Sequence, residues 1–144
     1  MDALSRMIIE HDCERLVKRY AQTLDAYDYD AFLTLWAPDA AWIMLGEVRR
    51  GEEVIRKALD ARDATMICRH LITNVIIEVE DADHARGHCY TLSFHVPGQR
   101  DRATGDLEPP TFVVEYRDRF VRDSARGWLF AERDITATLA RGIG

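Results

Sequence analysis

The chain has 144 residues, 47% hydrophobic and 31% charged, enough for one domain over residues 1–144 with a real core. Its formal net charge is -6, and its basic residues are scattered among acidic ones, so neither nucleic acid nor an anionic membrane surface is an expected partner. No apolar run approaches the roughly 20 residues of a membrane span, and Met1 to Arg6 lacks a basic stretch leading into an apolar one, so the cytosol is the expected location.

From about Asp2 to Tyr27, apolar residues recur at Ile9, Cys13, Leu16, Val17, Tyr20, Ala21 and Leu24. Steps of three and four predict a long helix with one buried stripe. Asp28 or Asp30 can cap a second short helix carrying Phe32, Leu35 and Trp36, which Pro38 ends. Residues 40–48 read as a strand. A third helix begins near Gly51, with Glu52 and Glu53 in its first turn, and is expected to bury Val54, Ile55, Ala58 and Leu59.

The second half reads as strand throughout. His70 to Glu80 is rich in Ile and Val, Asp81-Ala82-Asp83 turns the chain, and His84 to Val96 returns. Pro97 to Pro110 holds Gly, Pro and charge, a loop or lid. Thr111 to Arg122 alternates, with Phe112, Val114, Tyr116, Asp118 and Phe120 on one face. Asp118 interrupts that apolar face and is expected to pair with an arginine such as Arg133. Trp128 to Thr138 is the last strand. Helices grouped before an antiparallel meander predict an α+β domain, the helices packed on one face of a curved sheet.

Two polar residues sit in apolar surroundings. Asp25 is at the edge of the first helix's stripe, and His70 opens the strongest strand. A carboxylate that orients an imidazole makes a general base near neutral pH. Cys13, Cys68 and Cys89 are odd in number with no close pair, and read as reduced, buried, small apolar residues. Cys68 is expected just before the strand of His70. His84 and His88 share a strand face but have no third ligand nearby, so no metal site is expected. His11 and His95 read as surface or edge residues. No phosphate loop, nucleophile elbow or nucleotide-binding turn occurs, and no cofactor is expected.

The element order, with Arg19-Tyr20-Ala21, Leu24-Asp25, Asp28-Tyr29-Asp30, Leu35-Trp36-Ala37-Pro38-Asp39-Ala40, Gly51, Arg69-His70-Leu71-Ile72-Thr73-Asn74, Tyr116-Arg117-Asp118-Arg119 and Gly127-Trp128, resembles the SnoaL-like branch of the nuclear-transport-factor-2-like superfamily. The resemblance implies a cone, an α+β roll whose bent antiparallel sheet wraps a pocket that the N-terminal helices close. Within that superfamily, scytalone dehydratase and hexachlorocyclohexane dehydrochlorinase use an aspartate on the first helix with a histidine at the head of a strand. Asp25 and His70 hold the matching positions. The scytalone pattern has a tyrosine beside its aspartate, replaced here by Leu24. Its second histidine, on the penultimate long strand, would fall near Val113 and is absent, which argues against scytalone as substrate. The dehydrochlorinase uses an arginine on that strand, where Arg117, Arg119 and Arg122 lie nearby.

The implied activity is a cofactor-independent lyase or isomerase, with dehydration the most economical version. Its partner would be a small apolar cyclic molecule, such as a polyketide, terpenoid or xenobiotic. His70 would be the base and Asp25 would orient it. Tyr20, Leu24, Trp36, Trp42, Met44, Asn74, Phe112 and Val114 are the expected substrate-binding residues. Asn74 is included because it shares strand parity with His70 and Ile72. The same superfamily contains non-catalytic small subunits of aromatic-ring dioxygenases and apolar-ligand binders, and these readings stay open. A homodimer or homotrimer through the sheet's outer face is expected.

Overall fold

The computed structural model describes residues 1–140. Helix α1 (Ala3–Ala26) opens on Asp2, whose side chain accepts from the Ser5 backbone N–H. It closes on Tyr27 in the left-handed region, φ 60°. The stripe from Ile9 to Leu24 is buried as the spacing predicts. Helix α2 (Tyr29–Leu33) is capped by Asp28 and is shorter than its pattern suggests. Trp36 already belongs to strand β1 (Trp36–Met44). Pro38 fits inside β1 because the ladder is irregular between Trp36 and Ala41, where a missing N–H does no harm.

The segment expected as one strand over 40–48 is a hairpin, β1 turning through Leu45-Gly46 into β2 (Glu47–Arg50). Helix α3 (Glu52–Asp60) buries Ile55 and Leu59. Val54, expected inside, is about half exposed, because it lies off the 55–58–59 stripe. Four long strands follow: β3 (Ile67–Val79), β4 (His84–Val96), β5 (Phe112–Asp123) and β6 (Gly127–Ala140).

The sheet order is β2-β1-β6-β5-β4-β3. β3 to β6 form the antiparallel meander, but β1 lies parallel to β6, so the sheet is mixed. β2 and β3 are free edges, and the curved sheet stays open. α1 packs against β3, β4 and β6, and α3 against β1 and β2. The core is an aromatic cluster around Tyr20, with the rings of Phe32, Tyr116, Phe130, Trp36 and Trp42 at 5.1 to 6.5 Å.

One irregularity positions the site. β3 pairs regularly with β4 from Val79 to Ile76 and again from Thr73 to Ile67, and the register slips between them. Asn74, at φ 55°, sits in that β-bulge. Ile77 and Val79 face inward on one side of it, opposite Gly87 and Ala85. On the other side His70 and Cys68 face inward, opposite Ser93 and His95. Without the extra residue, His70 would fall on the outer face.

Candidate active site

Asp25 is held at the last turn of α1, where the chain approaches β3. Both its oxygens go to one residue. Oδ2 accepts the backbone N–H of His70 at 2.9 Å, and Oδ1 accepts the ring Nδ1 at 2.6 Å. An ionised carboxylate only accepts, so this contact places the ring proton on Nδ1 and leaves Nε2 as the basic nitrogen. The two side chains are 11% and 7% exposed, so water competes little for the pair.

His70 lines an apolar cavity of about 90 Å³ between α1 and the inner faces of β3 to β6, with the β1–β2 turn at its rim. Of the residues expected to bind substrate, Tyr20, Leu24, Met44, Phe112 and Val114 line it. Trp36 and Trp42 do not. They are buried in the aromatic layer beneath. Asn74 is exposed at the bulge, its side-chain oxygen accepting from Thr73 Oγ1, and lies outside the cavity. Parity with His70 failed there because the bulge reverses the face.

Sequence reading missed five lining residues: Leu45, Ser93, His95, Tyr116 and Ile135. Tyr116 shares the alternation of Phe112 and Val114, a signal that was sufficient to find it. His95 is a correction. It was expected at the surface, yet it belongs to the inward series of β4 with Cys89, Thr91 and Ser93. Its ring lies 5.5 Å from that of His70. A second imidazole is therefore present, supplied by β4 and not by the neighbourhood of Val113. Burial above all, then the neighbouring His70 and the Arg62 guanidinium, holds His95 down to about 4, with Asp25 opposing.

Cys68 is also a correction. It lies within β3, buried on the face of His70. Its sulfur takes Arg62 Nη2 at 3.3 Å and lies 3.7 Å from the Tyr27 hydroxyl. Burial pushes the Cys13 and Cys89 thiols up to about 12, which makes both inert. His84 and His88 point to the outer face, engaged by Asp81 and Glu115. Arg117, Arg119 and Arg122 do not line the cavity. Wider depressions of about 510 and 820 Å³ lie on the outer face and beside the start of α1. Both are open and lined by charged residues, and neither holds the dyad.

The fold recurs among solved structures. A protein from Novosphingobium aromaticivorans provisionally assigned as a scytalone dehydratase superposes with a TM-score of 0.82 at 17% identity, covering 96% of this chain and 89% of that one. A type 2 hexachlorocyclohexane dehydrochlorinase (LinA) gives 0.78 at 17% identity, covering 96% and 90%. A single-residue variant of Rv3472, a protein of unknown function from Mycobacterium tuberculosis, gives 0.75 at 26% identity, covering 90% and 76%. A search of curated proteins finds no match. The SnoaL-like domain model matches residues 5–134, and with the cystatin-like α+β fold in place the chain belongs to the SnoaL-like family.

Proposed function

We propose that this protein is a cofactor-independent lyase or isomerase that takes a proton from carbon beside a carbonyl in a small cyclic substrate. The observation that supports this most is the contact between His70 Nδ1 and Asp25 Oδ1 at 2.6 Å, which turns Nε2 of a largely buried imidazole toward an apolar cavity. In the reading, Nε2 removes the α-proton and the C–H electron pair moves into an enolate. Asp25 stabilises the imidazolium that forms. A leaving group on the β-carbon then departs, or the proton returns at another carbon. Positioned acid–base catalysis supplies about 10²–10⁴-fold of the rate. The superposition on a dehydrochlorinase and on a provisional dehydratase adds the fold and a precedent for elimination.

His95 has a separate part. A ring held down to about 4 is neutral at pH 7, so it orients the ligand by hydrogen bonding and does not act as a second base. The cavity of about 90 Å³ is below the 150 Å³ or so that encloses benzene. A single ring therefore fits only when the Leu45-Gly46 turn at the rim gives way. Leu45, at φ 51°, is in the left-handed region that bulky side chains avoid, which stores strain at that rim.

Exchange of α-protons in D2O, followed by NMR over a panel of cyclic ketones, tests the reading without knowledge of the leaving group. The chain should accelerate exchange. His70→Ala and Asp25→Asn should each lower that rate at least about tenfold with the fold intact. Exchange unchanged in both variants would refute the dyad. Ketones bound without exchange would mark a ligand carrier. No binding at all would favour the accessory-subunit reading.

A further inference from the structure

The polar groups that open on the cavity come from one wall. Leu24, Met44, Leu45, Phe112, Val114 and Ile135 give the rest an apolar lining. Tyr20 and Tyr116 carry their hydroxyls beside Trp42 and Thr91, which lie outside the lining in the layer beneath. His70 on β3 and Ser93 and His95 on β4 remain. Ser93 is directly opposite His70 in the β3–β4 ladder, and opposite Phe112 on its other side. It has no part in the contact between His70 and Asp25.

Ser93 is only 3% exposed, and its hydroxyl has no hydrogen-bond partner among the described residues. Yet it is not one of the polar atoms sealed away unpartnered, as Thr91 Oγ1 is two residues before it. What is left of its surface opens on the cavity. A hydroxyl that neither bulk water nor a neighbour serves costs about 1–3 kcal/mol, so this one calls for a polar atom on the ligand. His95, one inward step further along β4, is only partly buried, and water can reach its ring. The place of Ser93 also suits a particular ligand. Residues directly opposite in an antiparallel pair have Cβ atoms about 4.5–5.5 Å apart. In a ketone the α-carbon and the oxygen are about 2.4 Å apart, across bonds of about 1.52 and 1.23 Å. A base meets the carbon, and a donor meets the oxygen, at about 3 Å. Two neighbouring side chains on one wall can therefore serve both ends of one H–C–C=O unit.

We propose that the Ser93 hydroxyl donates to the carbonyl oxygen of the substrate and steadies the enolate there, so that the ligand is a ring ketone with its oxygen and acidic C–H on one edge and hydrocarbon on the rest. The chemistry rests on the reading of His70 as the base, while the binding of the oxygen does not. As Nε2 takes the α-proton, the C–H electron pair becomes the C=C of the enolate and the C=O π pair moves onto the oxygen. The hydrogen bond from Ser93 strengthens as that charge grows, and the serine keeps its proton. An apolar side chain at this position would leave a bound carbonyl unpaired. Ser93 therefore also sets a preference for ketones over hydrocarbons of the same shape.

The test uses the full chain with carbonyl-¹³C cyclohexanone and methylenecyclohexane, two probes of one shape of which only the first has an acceptor. The wild-type chain should bind the ketone about fivefold or more tightly than the alkene and shift its carbonyl resonance downfield. Ser93→Ala should remove most of the preference and the shift, while alkene binding persists and reports an intact cavity. The same variant should lower kcat for α-proton exchange about 10²-fold, with KM changed far less. Ser93→Thr keeps a hydroxyl and should keep the shift. His70→Ala should slow exchange yet retain both preference and shift, so failure of the base reading would leave this result standing. Equal binding of the two probes by the wild type overturns the proposal, as does binding of neither. An unshifted carbonyl in the wild type also overturns it, whether or not the variants fold. So does a preference or a shift that survives in Ser93→Ala.

Discussion

Burial governs the protonation of His95 more than any single partner does. The group is lowered from 6.5 to about 4, with His70 and Arg62 adding to the effect and Asp25 opposing it. Between those values the unfolded chain takes up a proton that the folded chain refuses. Proton uptake then favours unfolding, and stability falls as pH drops from about 6.5 to about 4. Thermal melts across that window should show the midpoint falling toward acid, and His95→Phe should flatten the curve. A slope that His95→Phe leaves unchanged would assign the effect to other groups. The Arg133–Asp118 pair makes a second demand at this scale. Both side chains are fully buried, and removing one partner strands a charge. Arg133→Met or Asp118→Asn should each lower the unfolding free energy by about 3–5 kcal/mol. The joint change Arg133→Met with Asp118→Leu should recover much of that loss in denaturant titrations.

Strand β3 shows how one element sets which side chains reach the cavity. The bulge at Asn74 reverses which residues face inward, and it does so between Ile77 and His70. Deleting Asn74 restores continuous pairing and turns His70 outward. The prediction is a folded protein, by circular dichroism, whose α-proton exchange falls to the level of His70→Ala. Asn74→Gly keeps the left-handed residue and should keep the activity. Full activity after the deletion would show that the register slips elsewhere and the bulge is dispensable. The same element marks the limit of what the sequence discloses. The stripe of α1, the alternation of β5 and the pairing of Asp118 with Arg133 are local periodicities, and each was legible. The contact between Asp25 and His70 was legible as a resemblance between two distant positions. Asn74 was misplaced because a bulge is a single unpaired residue that leaves no period in the sequence. His95 was misplaced for another reason. Its inward parity was present in Cys89 and Thr91, but a histidine near a strand end next to Pro97 carries an exposed residue's pattern.

The two faces of the sheet are unequal, and the outer one carries an exposed apolar row. Helix α1 packs against β3, β4 and β6 on the inner face, while on the outer face the loop residues Gly105 to Glu108 border only the end at Ile67, Arg69, Leu71 and Phe94. Register places Leu71 opposite Leu92, Leu92 opposite Val113 and Val113 opposite Leu139, an apolar row across β3, β4, β5 and β6. Leu71 is 55% exposed and Leu139 65%, and Ile76 and Tyr90 extend the patch. Contiguous apolar surface of more than a few hundred Å² is rarely left in water. Further along the same strands, Glu78, Arg86, Arg119 and Glu132 form a row of mixed sign. A row of one sign would repel its own copy, whereas a mixed row can set unlike charges opposite across a two-fold axis. A homodimer or homotrimer through this face is therefore the expected state. Light scattering at micromolar concentration should give a multiple of 16.6 kDa. Leu71→Lys with Leu139→Lys should convert it to a monomer. Because the row points away from the cavity, that monomer should keep α-proton exchange within a few-fold of the parent. A wild-type chain that scatters as a monomer would refute the self-association and leave the face for a different subunit.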